Sequence, residues 1–206
     1  MNAKKDSKIL ITGATGATGG EAIRLLLQRG YQVRAFAHRE DERSRKLQEL
    51  GVEVVFGDFL NLDDVSAALK GIERAYFCYP ISPGIIKATA IFAQAAKEAG
   101  VEAIVNMSQK SSRRDAKSQA AREHWLAENV FDWSGIPVTH LRPTFFAEWL
   151  LYSAADIREG SLILPLDPNA RHAPVAADDQ ARVIAAILES PQPHQGQIYP
   201  LYGPRE

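Results

Sequence analysis

Residues Ile9-Leu10-Ile11-Thr12-Gly13-Ala14-Thr15-Gly16-Ala17-Thr18-Gly19-Gly20 constrain this chain more than any other stretch. An apolar run ending in Thr12 reads as a buried strand. Gly13, Gly16 and Gly19 follow at three-residue intervals, and Glu21 to Leu27 then shows the pattern of an amphipathic helix. A glycine repeat alone is a weak signal, but one set between a strand and a helix points to a phosphate-binding turn. Gly13 allows the tight turn, and Gly16 lets backbone N–H groups approach a pyrophosphate with no Cβ in the way. Gly19 lets the helix lie close to the strand. Thr15, Ala17 and Thr18 complete the turn, and the helix N-terminus adds unpaired N–H groups and a partial positive charge. The competing reading is a glycine-rich turn that merely links a strand to a helix.

Downstream, strand and helix patterns alternate. Tyr31 to Ala37 reads as a strand, Glu42 to Leu50 as a charged helix closed by Gly51, and Val52 to Phe56 as a third strand. Leu62 to Leu69 is a short helix, Ala75 to Tyr79 a strand cut by Pro80, and Ile85 to Ala99 a helix ended by Gly100. Ala103 to Met107 is the fifth strand, Asp115 to Trp133 a long helix, and Val138 to Leu141 the sixth strand. Such an alternation predicts an α/β fold, a doubly wound parallel sheet with helices on both faces. Its ligands bind beyond the strand C-termini, where the strand order reverses. Beyond Pro143 the pattern predicts a helix from Phe145 to Ile157, a short strand from Ser161 to Leu164, a helix from Asp178 to Leu188 and a late strand at Gln197 to Tyr199.

With 206 residues, 46% of them hydrophobic, the chain is long enough for one domain with a large core. The 24 Lys and Arg nearly cancel the 25 Asp and Glu, which argues against nucleic acid as the main partner. No apolar run has the length to span a bilayer, and the polar N-terminus does not read as a signal peptide. Cys78 is the single cysteine, which excludes an internal disulfide framework and fits a reducing cytoplasm. The five histidines, His38, His124, His140, His172 and His194, are scattered and suggest no metal site.

Three features taken together resemble the NmrA-like group of atypical short-chain dehydrogenases/reductases. They are Thr12-Gly13-Ala14-Thr15-Gly16-Ala17-Thr18-Gly19, Gly57-Asp58 after the third strand, and Leu141-Arg142-Pro143 after the sixth. Arg122-Glu123-His124-Trp125-Leu126-Ala127-Glu128 resembles one subgroup, and the likeness runs from about residue 8 to 203. The resemblance implies a Rossmann-like domain binding NAD(P) and a smaller substrate lobe from the C-terminal third. That lobe usually continues past the point where this chain ends, so residues 144–206 are expected to contribute a small, shortened lobe to a single domain.

For the cofactor, NAD-preferring sites carry an acid at the end of the second strand. Here that position reads Ala37-His38-Arg39, with acids only at Glu40 and Asp41. A cation there pairs with a 2′-phosphate, so NADP(H) is expected over NAD(H), with Arg39 the principal candidate beside His38 and with Arg34 and Arg43 assisting. By resemblance, Asp58 and Phe59 lie beside the adenine; Asp58 also suits a cap for the helix near Leu62. Cys78, Tyr79 and Pro80 are expected near the nicotinamide ribose, with Cys78 read as a small core residue rather than a nucleophile.

The usual short-chain dehydrogenase carries a Tyr-x-x-x-Lys pair on the helix after the fifth strand, the Lys lowering the Tyr pKa for general-acid work. Residues 115–133 contain no tyrosine. The stand-ins are His124, with Glu128 at i, i+4 to orient it, and Ser108 just past the fifth strand. Each has a bland reading: surface or packing for the helix pair, local backbone bonding for the serine. Phe145, Trp149 and Tyr152 either line an apolar pocket or form the lobe's core. Two functions stay open. One is a reductase passing hydride from NADPH to a quinone-like small-molecule acceptor, which needs orientation rather than a Tyr–Lys pair. The other is a non-catalytic redox sensor acting through a protein partner. A scaffold that binds nothing is the weakest option. The sequence favours the reductase, because it advertises no partner surface.

Overall fold

The computed structural model describes residues 7–163 and 171–204. Among these residues the alternation takes the form β1 (Lys8–Thr12), α1 (Ala17–Gln28), β2 (Gln32–Ala37), α2 (Glu42–Glu49), β3 (Glu53–Phe56) and α3 (Leu62–Leu69). It continues with β4 (Arg74–Phe77), α4 (Ile85–Glu98), β5 (Ala103–Met107), α5 (Gln119–Ser134) and β6 (Val138–Pro143). A 3-10 segment, Ala147–Ser153, leads into α6 (Ala154–Arg158), and α7 (Ala177–Glu189) and β7 (Ile198–Leu201) follow.

All seven described strands join one parallel sheet in the order β3-β2-β1-β4-β5-β6-β7. The chain steps outward from β1 to β3, then returns to the other side of β1, so the order reverses between β1 and β4. A crevice opens there beyond the carboxyl ends of the strands. Successive side chains of a strand point to opposite faces, and here both faces are dry. Ile9 and Ile11 meet Ile23 and Leu26 of α1 and Ile184 and Leu188 of α7 on one face. On the other, Leu10 and Phe77 meet Leu69 of α3, Phe92 of α4 and Phe131 of α5. The doubly wound α/β class expected from the sequence is the one observed. Of the C-terminal stretch 144–206, α7 belongs to the first of these layers and β7 closes the sheet edge.

Several local expectations are corrected. The first helix begins at Ala17, so Gly19 and Gly20 lie inside it rather than before it. The fourth strand stops at Phe77, leaving Cys78 and Tyr79 in the loop. The fifth helix begins at Gln119 instead of Asp115, because Ser112 N bonds back to Gln109 O and Ala116 N to Arg113 O in successive turns. Residues 145–157 do not make one helix: the 3-10 segment takes the first part, and Tyr152 stands exposed. No strand forms at 161–163, where Ile163 is exposed, and Leu164 lies outside the described residues. Among the described residues no helix is long and apolar enough to cross a membrane.

Candidate functional site

The glycine turn and the end of β4 face each other across the crevice. Thr12 Oγ1 accepts a bond from Cys78 N at 2.8 Å and donates to Cys78 O at 3.3 Å, tying the two strand ends together. Gly13 adopts φ +58°, the left-handed region that favours glycine, and a Cβ there would meet the Cys78 side chain at 3.2 Å. Gly16 N donates to Gly13 O at 2.9 Å, closing the turn, and Gly16 is the N-cap of α1. A Cβ at Gly16 would stand 3.2 Å from Gly13 O; one at Gly19 would stand 2.4 Å from the same atom. The glycines therefore press the start of α1 onto the turn.

No side chain caps α1 and no acid stands in its first turn. The N–H groups of a helix's first turn lack intrahelical partners, so Ala17, Thr18 and Gly19 offer donors and a positive dipole end to an anion. Thr18 contributes by its backbone: its hydroxyl is turned inward, 3.1 Å from the buried Tyr76 hydroxyl. Thr15 is half-buried in the turn and Ala17 stands exposed at its rim. A cradle of this shape, closed to any Cβ and open at a helix N-terminus, fits a dinucleotide pyrophosphate.

His38 and Arg39 follow β2, are exposed, and make no hydrogen bond or ion pair among the described residues. Arg34 and Arg43 cannot assist them. Arg34 is buried and donates to Ala68 O and Lys70 O at 2.7 and 2.8 Å while pairing with Glu53 at 2.9 Å. Arg43 pairs with Asp41, whose carboxylate also caps α2 by accepting from Arg43 N and Ser44 N. That double engagement holds the Asp41 carboxyl below the usual range, Arg43 being the larger cause. Asp58 does not cap α3, because Asn61 does so through Asp63 N and Asp64 N. Instead Asp58 Oδ1 accepts from Leu60 N at 2.9 Å, shaping the loop after β3. Phe59 in that loop packs edge-on against Phe36, Phe77 and Tyr79 at 5.1 to 5.7 Å.

Beyond Pro80 lies a cavity of about 310 Å³ between the β4–α4 loop and the start of α5. Pro80, Ile81, Ser82, Pro83 and Ile85 form one wall; Gln119, Ala120, Glu123 and His124 form the other. His124 is only 7% exposed and makes no hydrogen bond among the described residues. Burial pulls its pKa below the ordinary histidine value, against the opposing fields of Glu128 and Glu123. The ring is thus neutral at neutral pH, with one N–H to donate. Glu128 is not its orienter: the carboxylate receives Arg142 Nε and Nη2 at 2.9 and 2.6 Å, a bidentate pair that binds α5 to β6.

Ser108 lies 5% exposed past β5, its Oγ without a partner and its N bonded to Leu141 O, and it does not line the cavity with His124. Burial pushes the Cys78 thiol above its ordinary range, so it stays protonated as a packing residue. Phe145 and Phe146 contact Trp149 at 5.1 and 5.4 Å; none of the three lines this cavity, and Trp149 and Tyr152 are exposed. Ala120 and the Ile81–Ile85 loop carry no chemical signature, and only the fold shows that they form the cavity.

The NmrA-like family model matches residues 5–203. The chain is 33% identical over 200 residues to an NAD(P)H azoreductase of Xenophilus azovorans, covering 96% of this chain and 68% of that protein. It is 32% identical over 199 residues to (4-alkanoyl-5-oxo-2,5-dihydrofuran-3-yl)methyl phosphate reductase of Streptomyces griseus, covering 95% and 68%. Among solved structures, an NADPH-dependent quinone oxidoreductase of Escherichia coli in complex with NADPH superposes with a TM-score of 0.85 at 26% identity, over 96% of this chain and 70% of that one. The chain thus spans about two thirds of the length of each of these relatives.

Proposed function

This chain belongs to the NmrA-like family, and from that membership we propose that it is an NAD(P)H-dependent oxidoreductase. In this reading it prefers NADP(H) and reduces a quinone-like or similarly electron-poor acceptor. The observation that carries the reading is that the loop tied to the glycine cradle by the Thr12–Cys78 bond goes on to line the cavity from Pro80. The azoreductase and quinone reductase relatives support the reaction class. The pyrophosphate falls to Gly13, Gly16 and the free N–H groups of α1. A 2′-phosphate falls to Arg39 with His38, because Asp41 is spent on capping α2. Asp58 and Phe59 serve the adenine side.

When bound, NADPH supplies a hydride, two electrons and one proton; a quinone so reduced needs one more proton, which water provides. The chain's own task is to orient and polarise the acceptor. The neutral His124 ring donates its N–H to an acceptor oxygen where negative charge develops, facing the apolar side chains of Pro80, Ile81, Pro83 and Ile85. No phenol and no nucleophile are required.

The test is NADPH binding, then NADPH oxidation with a panel of quinones. Acceptor-dependent oxidation that falls about tenfold or more in His124→Ala, with NADPH affinity kept, is the expected result. Arg39→Glu should weaken NADPH by about tenfold and leave NADH nearly unchanged. Tight NADPH binding with no turnover on any acceptor would replace this reading with the non-catalytic sensor. Failure to bind either dinucleotide would overturn both.

A further inference from the structure

On the cavity face of α5 two pairs of side chains stand at the i, i+4 spacing: Gln119 with Glu123, and Ala120 with His124. Gln119 Nε2 donates to Glu123 Oε1 at 2.7 Å, so the first pair is closed on itself at the cavity rim. The second pair is a methyl group and an unbonded imidazole.

We propose that Ala120 sets the size of the acceptor, leaving open a slot that takes a flat, conjugated carbonyl compound of two fused rings beside His124. The inference rests on the reductase reading above and names its acceptor class. The cavity, at about 310 Å³, lies at the small end of ligand pockets, roughly 300–1,000 Å³. Pro80, Ile81, Pro83 and Ile85 give it an apolar wall, and His124 gives it a buried donor. An apolar wall beside an unpaired, half-enclosed donor recognises a planar ring system bearing an oxygen acceptor. A phenyl ring at position 120 would project from the α5 wall into that volume and leave space for a single-ring acceptor. Ala120 is itself half-buried at the cavity wall and outside both apolar cores, so a larger side chain can be seated there without opening the core.

Ala120→Phe and Ala120→Leu test this beside the unsubstituted protein, each saturated with NADP(H). Menadione serves as the two-ring probe and 2,6-dimethylbenzoquinone as the one-ring probe. Binding is read by equilibrium dialysis in NADP⁺ and turnover by NADPH oxidation. Menadione affinity and kcat/KM should fall about tenfold or more in Ala120→Phe and by less in Ala120→Leu. The one-ring probe should stay within about threefold, and NADPH affinity should not move. Should the Phe variant not fold, the Leu variant carries the comparison. Unchanged menadione binding in the variants, an equal loss of both quinones, or no menadione binding by the unsubstituted protein would each overturn the proposal. Menadione binding that depends on Ala120 without any NADPH oxidation would instead sink the reductase reading and leave the size gate standing.

Discussion

A β-carbon at Gly19 would lie 2.4 Å from the carbonyl oxygen of Gly13 and 2.9 Å from its carbonyl carbon, both rigid backbone atoms. Gly19→Ala must therefore push α1 off the turn, at a cost of about 1–3 kcal/mol in urea unfolding and with weaker NADPH binding. Gly20 is the control one residue on: a Cβ there makes an ordinary 3.4 Å contact with Ala14 O. Gly20→Ala should be neutral or stabilise α1 by up to about 1 kcal/mol. Equal losses in the two variants would refute the close-approach argument. His124 gives the residue scale a pH signature. Its folded pKa is depressed by burial below the ordinary 6.5, so below that value the unfolded chain binds the extra proton first. The stability linked to the neutral ring is present in full above about pH 6.5 and is lost as pH falls through the depressed folded value. His124→Gln should flatten that part of the profile, measured as urea unfolding at about pH 7.5 and about pH 5.5. An identical slope in both proteins would show that the ring is not desolvated.

Helix α5 is tied to β6 by Asp132 with His140 at 3.1 Å and by a more deeply buried pair, Glu128 with Arg142. Glu128 is 3% exposed, and both its oxygens are bound by Arg142 at the end of β6. Removing the guanidinium strands a buried carboxylate, so Arg142→Met should cost about 3–5 kcal/mol, whereas Glu128→Gln with Arg142→Met should recover much of it. Losses that simply add in the double variant would mean that the pair is not coupled. This contact also shows where sequence reading stops. Glu128 and His124 at i, i+4 suggest a carboxylate orienting an imidazole, and helical spacing does place them on one face. The partner that wins, Arg142, lies 14 residues away on another element, and spacing along one helix carries no sign of it. Arg34 was misplaced for the same reason: its cationic head reads as a phosphate ligand, yet its partners are Ala68 O, Lys70 O and Glu53. Strands and the glycine turn are legible because apolar periodicity and φ-permissive residues act locally. The β5–α5 loop and residues 145–157 are less so, since tertiary contacts decide where a helix with weak caps begins.

At the scale of the whole molecule, the C-terminal segment stabilises the very strands that frame the site. Ala181, Ile184, Ala185 and Leu188 of α7 are fully buried in one cluster with Ile9, Ile11, Ile23, Leu26 and Tyr76. Arg74 at the foot of β4 donates to Leu188 O and Glu189 O at 2.7 and 3.1 Å, and Arg29 after α1 pairs with Glu189 at 2.6 Å. Strand β7 covers the edge of β6, and Thr139 donates to His194 O at 2.7 Å in the turn that leads to it. A chain stopped after residue 176 would uncover the α7-facing side chains of α1, β4 and β5 beneath an intact glycine motif. Burial of apolar surface is the main favourable term in folding, and a sheet face covered by α1 alone does not offset the chain entropy. Such a truncated chain should show no cooperative urea transition, bind hydrophobic dyes and fail to bind NADPH, although every residue of the cradle is present. Ile184→Ala in the full chain is the graded version. It should lose about 2–5 kcal/mol yet keep a single transition and near-native NADPH affinity. Cooperative unfolding and NADPH binding in the truncated chain would show instead that the first six strands and their helices fold alone, with α7 and β7 merely docked on them.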